Sequence, residues 1–404
     1  MNTARRLSVM MFLEYFIWGS WLPLLALYLS RFLGFTGTDI GWIFATSAIA
    51  SVTAVFISGQ IADRHLPTEK FLAVSHLVGG VAMISLVFQK SFWPFFVGML
   101  VHNLMYVPTL SLTNSICFHH LKDAQKEFGI VRLWGTIGWI AASWPFVWIL
   151  SGKTGPGLES ALTSIFWMAG GASIVLALYS LSLPHTPPAR GEKNAPLEAI
   201  KFLAVPAFLV LFIVTFMDSL VHACYFQWTS PFLSAIGLPE NWIMPAMSIG
   251  QIAEIGTMAW LGFFIKKLGW RKIMVFGILG HAFRFAIYAL GGPVWLVVGS
   301  NLVHGFCYAF FFASVYIFVD EYFPRDARAS AQGLFNLLIL GVGPFLGNLL
   351  WGGLGDALRS GATVNYRTLF LAPTALAVVA ALTLAVAFKP PPRPVSEEEV
   401  KAIA

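Results

Sequence analysis

The sequence predicts an all-α membrane protein with twelve transmembrane helices, arranged as two pseudo-symmetric six-helix bundles. Of its 404 residues 57% are hydrophobic and only 11% are charged, whereas soluble domains carry about 25% charged residues. The apolar runs are nearly continuous and are separated by short charged loops, which is typical of helices of about 20 residues and not of outer-membrane strands. A proline- and charge-rich stretch, PHTPPARGEKNAPLEAIK, divides the chain near its middle.

Twelve apolar segments define the predicted helices and domains. The helices are predicted at residues 7–30, 39–62, 69–88, 92–117, 129–150, 160–183, 200–222, 242–265, 272–291, 293–320, 328–355 and 366–388. The end of the seventh is open, because the chain stays apolar through residues 225–233. We therefore predict an N-terminal bundle (1–183), a cytoplasmic linker (184–200), a C-terminal bundle (201–389) and a cytoplasmic tail (390–404), with a central cavity between the bundles.

Positive charge predicts the orientation of the chain. Two arginines precede the first apolar run, which continues too far for a secretory signal. With the amino terminus inside, most lysines and arginines fall in cytoplasmic segments, as the positive-inside rule requires. The sequence thus predicts a multi-pass protein of the bacterial cytoplasmic (inner) membrane with both termini cytoplasmic.

The fifth predicted helix carries a polar stripe. Arg132, Thr136 and Trp139 fall at i, i+4 and i+7, on one helix face. A charge at the centre of a bilayer costs at least about 2.5 to 3.5 kcal/mol unless a partner receives it. Either the arginine reaches the interface, or it contributes to a polar site in the bundle, which we favour.

Three intramembrane acids are candidates for proton coupling. Glu254 lies three residues after Gln251 on the eighth helix, so that both can face one cavity, and it is the first choice. Glu14 on the first helix and Asp218 on the seventh follow. For each acid the alternative is a structural contact between helices. Acids within a membrane are rare and costly, which favours a functional role.

The other polar and aromatic intramembrane residues are of two kinds, candidate substrate contacts and residues expected to pack between helices. His304 precedes Tyr308 by four residues and is a candidate substrate contact, as are the aromatic rings of Trp139, Phe226 and Tyr308, which could stack on a flat base. A structural role between helices is expected for the remaining intramembrane histidines and for one arginine, namely His76, His102, His281 and Arg284.

The stretch GQIADRH, from Gly59 to His65, resembles the G-x-x-x-D-R signature of the major facilitator superfamily. In it Gly59 would allow close helix approach, while Asp63 and Arg64 would form a conformational latch. A narrower resemblance, to the nucleoside:proton symporter family, rests on six stretches in order along nearly the whole chain. They are FLEYFIWGSW, YVPTLSLTNSI, RLWGTIGWI, GQIAE, RFAIYALG and ARASAQGLF.

This resemblance implies the major facilitator fold and a nucleoside site. The site would be lined by Arg132, Thr136, Trp139, Gln251, Glu254 and Tyr308. The chain departs from the family at Ala223 and Phe226, where relatives carry amides, at Ala309, where they carry an aspartate, and at His304, where some have tyrosine.

The predicted function is secondary active, proton-coupled uptake of nucleosides or similar polar ring compounds by alternating access. A proton-coupled transporter of a sugar or other small metabolite is the rival, and a non-transporting membrane receptor is the alternative of another class. No catalytic cluster, metal-ligand spacing or ATP-binding loop is visible, so an enzyme, a metal and a cofactor are not expected and the proton gradient supplies the energy. The expected partners are the nucleoside-like substrate, protons and the lipid bilayer, not nucleic acid, and the chain is expected to be a monomer.

Overall fold

The computed structural model describes residues 2–65, 67–187, 196–324, 327–361, 363–392 and 394, and of residues 55–65, 124–125 and 196–198 only the backbone. Within these residues the chain is almost entirely helical. The α-helices are α1 (Thr3–Arg31), α2 (Gly37–His65), α3 (Thr68–Ser85), α4 (Phe92–His120), α5 (Ala124–Ser143), α6 (Pro145–Ile149), α7 (Gly155–Leu162), α8 (Ser164–Ser180), α9 (Pro206–Ala235), α10 (Glu240–Leu268), α11 (Trp270–Leu290), α12 (Val294–Ser300), α13 (Leu302–Cys307), α14 (Ser314–Tyr322), α15 (Arg328–Asn336), α16 (Gly343–Ala357) and α17 (Tyr366–Ala387).

Shorter elements complete the described fold. The 3₁₀ helices are Leu86–Phe88 and Pro196–Ala204, and the π-helices are Tyr308–Ala313 and Leu337–Val342. Strands β1 (Arg359–Ser360) and β2 (Thr363–Val364) pair antiparallel, with Arg359 opposite Val364.

Helices occupy each of the twelve predicted segments. By length and composition, ten helices of the described residues can cross a membrane. The predicted bounds of the seventh helix are wrong, because α9 begins at Pro206 and runs on to Ala235. Proline at position 231 does not end it, and the apolar run after residue 222 stays helical.

The tenth and eleventh predicted helices are not continuous α-helices. The tenth consists of α12, a break at Asn301, α13, a π-helix and α14. The eleventh is divided by the π-helix Leu337–Val342 into α15 and α16. Such π segments occur frequently at functional sites, and sequence periodicity alone does not locate them.

The structure divides into two compact units. Unit 1 comprises Met1–Gly191 with Phe226–Ser248, and unit 2 comprises Glu192–Tyr225 with Ile249–Ala404. In unit 1, α1 packs on α5, α3 on α8 and α2 on α4; in unit 2, α11 packs on α17. The bounds of the predicted bundles and linker stay a prediction.

Glycine brings α1 and α5 into direct backbone contact. A Cβ added at Gly138 would collide with the carbonyl group of Phe12, and one added at Gly19 would lie 2.8 Å from the carbonyl oxygen of Trp139. Close helix approach through small residues is a common packing mode in membranes. It holds the polar stripe of α5 against α1.

Candidate functional site

Arg132 is held against α1 by an aromatic ring. Its guanidinium carbon lies 4.0 Å from the centroid of the Tyr15 ring, within cation–π distance. The side chain folds past Gly135, where an added Cβ would lie 2.8 Å from Arg132 Nη1 and 2.7 Å from Tyr15 Cδ2. The half-buried cation is therefore positioned by packing, and Thr136 is half-buried one turn further along the same helix.

An aromatic cluster continues the stripe within unit 1. Trp139 meets Trp18 edge-to-face, with centroids 5.4 Å apart, and it meets Phe226 in the same manner at 6.4 Å. Trp18 contacts Tyr106 at 6.2 Å. The cluster includes both aromatic residues that were predicted to stack on substrate from this unit. Tyr15 and Tyr106 are additional members that the sequence did not distinguish from packing aromatics, whereas Trp18, one helical turn after Glu14, is an aromatic residue that helical spacing places beside that carboxylate.

Glu14 is fully buried among hydrogen-bonding groups of unit 1. Its Oε2 lies 2.9 Å from His76 Nε2, and Thr109 Oγ1 lies 2.7 Å from its Oε1. The Tyr106 hydroxyl donates to the Glu14 main-chain oxygen at 2.6 Å. His76 was expected to be a packing residue, so its pairing with a predicted proton carrier is new.

Unit 2 contains the other predicted site residues. Gln251 and Glu254 are half-buried on α10. A Cβ at Gly305 would collide with the backbone nitrogen of Glu254, so that α13 packs directly on α10 at the predicted coupling residue. Tyr308, at the start of the π-helix, is half-buried, and its ring lies 6.1 Å from that of Phe312.

Arg284 connects two histidines in the interior of unit 2. It is fully buried; Nη1 lies 2.6 Å from His304 Nδ1 and Nη2 lies 3.2 Å from His281 Nδ1. Its guanidinium carbon lies 4.1 Å from the Tyr225 ring centroid, and Tyr225 stacks on His304 at 4.4 Å. We expected Arg284 to have a packing role only, but it directly contacts His304, a predicted site residue.

Asp218 is also fully buried, and its Oδ2 lies 3.5 Å from His281 Nε2. Neither of its carboxylate oxygens has a hydrogen-bond partner within the described part of the chain. His222, one turn further on α9, stacks on His304 with centroids 5.3 Å apart. Asp218, His222, His281, Arg284 and His304 thus form one buried cluster of ionisable side chains.

Of the departures from the family pattern, Ala223 has a packing explanation and Ala309 is a buried residue of the π-helix. Ala223 is buried on α9, and a Cβ at Gly347 of α16 would lie only 2.9 Å from its own. Ala309 is fully buried within the π-helix, where its carbonyl accepts from the Ser314 hydroxyl at 3.2 Å. A larger side chain at position 223 would need different packing of α9 and α16.

The predicted latch, Gly59, Asp63 and Arg64, lies in α2 but outside the residues whose side chains are described. Over the described residues, no group of three or more histidine, cysteine or acidic side chains has an arrangement able to hold a metal ion.

The histidine and arginine partners were missed although the sequence carries a signal for them. Asp218, His222 and Tyr225 have the same spacing as Glu14, Trp18 and Trp21. The repeat of intramembrane polar residues in the two halves is therefore a signal that the sequence carries for these partners.

Comparisons with known proteins agree over almost the entire chain. Residues 1–393 match the family model described as nucleoside H⁺ symporter. The putative nucleoside transporter YegT of Escherichia coli (strain K12) is 32% identical, covering 100% of this chain and 96% of that protein. The xanthosine permease of the same organism is 31% identical, with 96% of both chains covered.

Solved structures show the same architecture. The crystal structure of the nucleoside transporter NupG superimposes with a TM-score of 0.85 at 28% identity, covering 96% of this chain and 100% of that one. The D-xylose–proton symporter superimposes with a TM-score of 0.74 at 12% identity, covering 96% of this chain and 99% of that one, a likeness of fold alone.

Proposed function

Because this chain belongs to the nucleoside H⁺ symporter family, we propose that Arg132, Thr136, Trp139, Phe226, Gln251, Glu254, His304 and Tyr308 bind its nucleoside substrate. The chain is a secondary transporter that couples nucleoside uptake to protons, and it is not an enzyme. The observation that carries the proposed site is the stripe of α5, in which a cation, a hydroxyl and an indole follow one another beside the rings of Tyr15 and Trp18.

The chemistry of these groups suits a nucleoside. Aromatic rings stabilise a stacked base by about 1 to 3 kcal/mol in other base-binding sites, and Trp139 lies in a cluster of such rings. The Arg132 guanidinium supplies hydrogen-bond donors for carbonyl groups or ribose hydroxyls. The loss of amides at Ala223 and Phe226 removes donors, which restricts the bases that the chain accepts.

The remaining features of the proposal concern the whole transporter. It has twelve spans in two six-helix bundles and works by alternating access as a monomer. It lies in the lipid bilayer of the bacterial inner membrane with both termini cytoplasmic, and the proton gradient replaces any cofactor. Gly59, Asp63 and Arg64 act as its latch. The likeness in fold to the NupG structure and the distribution of basic residues support these points.

The substrate is tested by uptake into proteoliposomes with and without an inward proton gradient. Labelled uridine, adenosine and xanthosine are offered in turn, with unlabelled nucleosides and sugars as competitors. We expect gradient-stimulated uptake that only nucleosides inhibit. If only sugars inhibit uptake, the substrate of the transporter is a sugar and not a nucleoside. If labelled nucleoside binds but does not accumulate, the protein is a receptor and not a transporter.

Glu254 is the proposed coupling residue because α13 packs directly on its backbone and it shares α10 with Gln251. A carboxylate in a narrow, dry site can gain and lose a proton as the site opens to each side. Glu254→Gln should reduce gradient-driven accumulation at least tenfold and leave exchange of internal for external nucleoside within about threefold of wild type. Gradient-driven accumulation at the wild-type level in this variant would contradict the assignment.

A further inference from the structure

Among the residues whose side chains are described, each unit has one fully buried carboxylate that faces a histidine of another helix. In unit 1, Glu14 of α1 and His76 of α3 approach to 2.9 Å between Oε2 and Nε2. In unit 2, Asp218 of α9 and His281 of α11 approach to 3.5 Å between Oδ2 and Nε2. All four side chains are at most 1% exposed.

The two pairs occupy equivalent positions of an internal repeat. The carboxylates are 204 residues apart (14 to 218) and the histidines 205 (76 to 281). Seven residues after each carboxylate stands an aromatic residue that contacts a histidine: Trp21 meets His102 at 5.9 Å, and Tyr225 meets His304 at 4.4 Å. Those last two histidines are themselves 202 residues apart (102 to 304). The constant spacing in the sequence and the contacts in the structure therefore both indicate that the two carboxylate–histidine pairs are equivalent.

Hydrogen-bond directions indicate which ring nitrogen of His76 faces Glu14 as a proton-binding atom. The Ser173 hydroxyl donates its single hydrogen to the main-chain oxygen of His76 at 2.8 Å. In the 3.3 Å contact between Ser173 Oγ and His76 Nδ1, the ring nitrogen is then the donor. With Nδ1 as the donor to Ser173, Nε2 is the ring nitrogen that faces Glu14 Oε2, at 2.9 Å, and neither of these two atoms has a hydrogen-bond partner among the described residues.

The unit 2 pair differs in the group behind the histidine. Arginine can only donate, so the Nδ1 atoms of His281 and His304 both accept from Arg284, and the ring proton of each neutral imidazole is on Nε2. The His281 Nε2–H therefore faces Asp218. When it is ionised, the Asp218 carboxylate would be a counter-charge for the buried Arg284 guanidinium on the other side of the His281 ring. Binding of a proton by Asp218 would remove that counter-charge.

We propose that Glu14–His76 and Asp218–His281 are two proton-binding pairs, one in each unit, and that His76 and His281 position the carboxylates for proton exchange. This inference rests on the proposed proton symport and adds the histidine partners and the two-fold repetition to it. The polar and ionisable groups that surround the pairs come from several helices. Those near Glu14 are His76, Tyr106 and Thr109, and His102, Tyr15 and Arg132 lie around Tyr106. Those near Asp218 are His281, Arg284 and Cys307, and His222, Tyr225 and His304 lie around His281 and Arg284.

The proposal competes with a purely structural role for both pairs. Burying a carboxylate and a partner is costly, and replacing such a pair by apolar residues is often neutral for stability. In a bilayer, hydrophobic residues can pack two helices together without the free-energy cost of burying a carboxylate. Helix packing alone therefore does not explain why these positions hold a carboxylate and a histidine. Because such a pair occurs at equivalent positions in both units, a purely structural explanation would have to account for the same costly arrangement twice.

Infrared spectroscopy of the chain in proteoliposomes tests the pairs without needing a substrate. The absorption of protonated carboxyl groups is followed as pH is raised, for wild type, Glu14→Gln and Asp218→Asn. We expect each variant to lose part of the pH-dependent signal. Spectra identical to wild type in both variants would overturn the proposal.

The histidines supply a second readout, which also serves if a carboxylate variant fails to fold. His76→Gln and His281→Gln should shift the pH at which the carboxyl signal changes and should lower gradient-driven uridine accumulation at least tenfold, with exchange within about threefold of wild type. The double variant Glu14→Gln/His76→Gln should lose no more accumulation than either single variant, as expected for residues acting as a unit. Additive losses, or an unchanged pH profile, would contradict the positioning role.

The chain provides a matched control in a third carboxylate–histidine pair. Glu69 Oε1, in the first turn of α3, lies 2.9 Å from His185 Nδ1, and the histidine side chain is 69% exposed. Glu69→Gln should leave the pH profile and accumulation unchanged. Wild-type chain that shows no proton-driven uptake of any nucleoside would count against the proposed symport, whereas normal uptake and wild-type carboxyl signals in Glu14→Gln and Asp218→Asn would count only against the pairs.

Discussion

At the scale of single residues, the site is organised by side chains whose partners come from neighbouring helices. Arg132 lies over Tyr15, and Arg284 lies over Tyr225 while donating to two histidines. Both intramembrane arginines are thus placed over an aromatic ring. The spacing of Arg132, Thr136 and Trp139 could be derived from helical periodicity, but the ring beneath the arginine could not, because it belongs to a helix more than 100 residues earlier.

The stacking of Arg132 predicts a difference between arginine and lysine. Arg132→Lys keeps the charge but loses the planar group over Tyr15, an interaction of about 0.5 to 2 kcal/mol. If this contact positions the cation, the Kd for the preferred nucleoside rises by roughly twofold to thirtyfold. Binding titrations of purified protein measure the effect, with Tyr15→Phe, which keeps the ring, as the control. Wild-type affinity in Arg132→Lys would show that charge alone is sufficient.

At the scale of helices, apolar length predicts where helices lie but not how they end or bend. The twelve segments could be derived because an apolar run of about 20 residues satisfies its backbone hydrogen bonds in a membrane by forming a helix. The π-helices at Tyr308 and Leu337 could not be derived, and for the end of α9 the apolar run through residue 233 left the continuation to Ala235 open. A π-helix changes hydrogen bonding without changing hydrophobicity, so that tertiary contacts and not composition decide its position.

The contact of α1 with α5 predicts which glycines of α5 tolerate a methyl group. Gly138→Ala places a Cβ against the Phe12 carbonyl, and the helices must separate, at a cost of about 1 to 3 kcal/mol. Gly129→Ala, on the same helix, meets nothing within 4 Å, and it should be neutral or stabilise by up to about 1 kcal/mol. Thermal unfolding in detergent measures both. Equal stability of the two variants would mean that α1 is not in backbone contact with α5.

At the scale of the whole molecule, the division into units does not follow the central linker alone. Residues Phe226–Ser248 belong with the N-terminal helices in unit 1. Their polar contacts explain this: Gln227 donates to the Gly37 carbonyl at 3.3 Å, Asn241 donates to the Val147 carbonyl at 3.2 Å, and Arg31 pairs with Glu240. Linker composition could predict a boundary along the chain, but contacts between distant segments carry no signal in a single sequence.

The ion pair of Arg31 with Glu240 lies within unit 1 but joins segments that the sequence assigns to two different bundles. If those bundles move against each other in the proposed alternating access, this pair must break and re-form in each cycle. The side chains are 45% and 23% exposed, and a pair of this kind contributes only about 0.2 to 1 kcal/mol. Glu240→Gln should therefore change the nucleoside exchange rate by no more than about fivefold, and less at high salt.

The pair of Lys90 with Glu159 gives the comparison for this prediction. It joins Nζ and Oε1 at 3.0 Å, with side chains 57% and 36% exposed, but it lies within the predicted N-terminal bundle. Glu159→Gln should leave exchange within about twofold of wild type, because no step of the cycle separates its partners. Exchange rates in proteoliposomes at low and high salt measure both variants. If Glu240→Gln and Glu159→Gln behave alike, the Arg31–Glu240 contact does not restrain the conformational change, and the contacts of Gln227 and Asn241 become the next residues to alter.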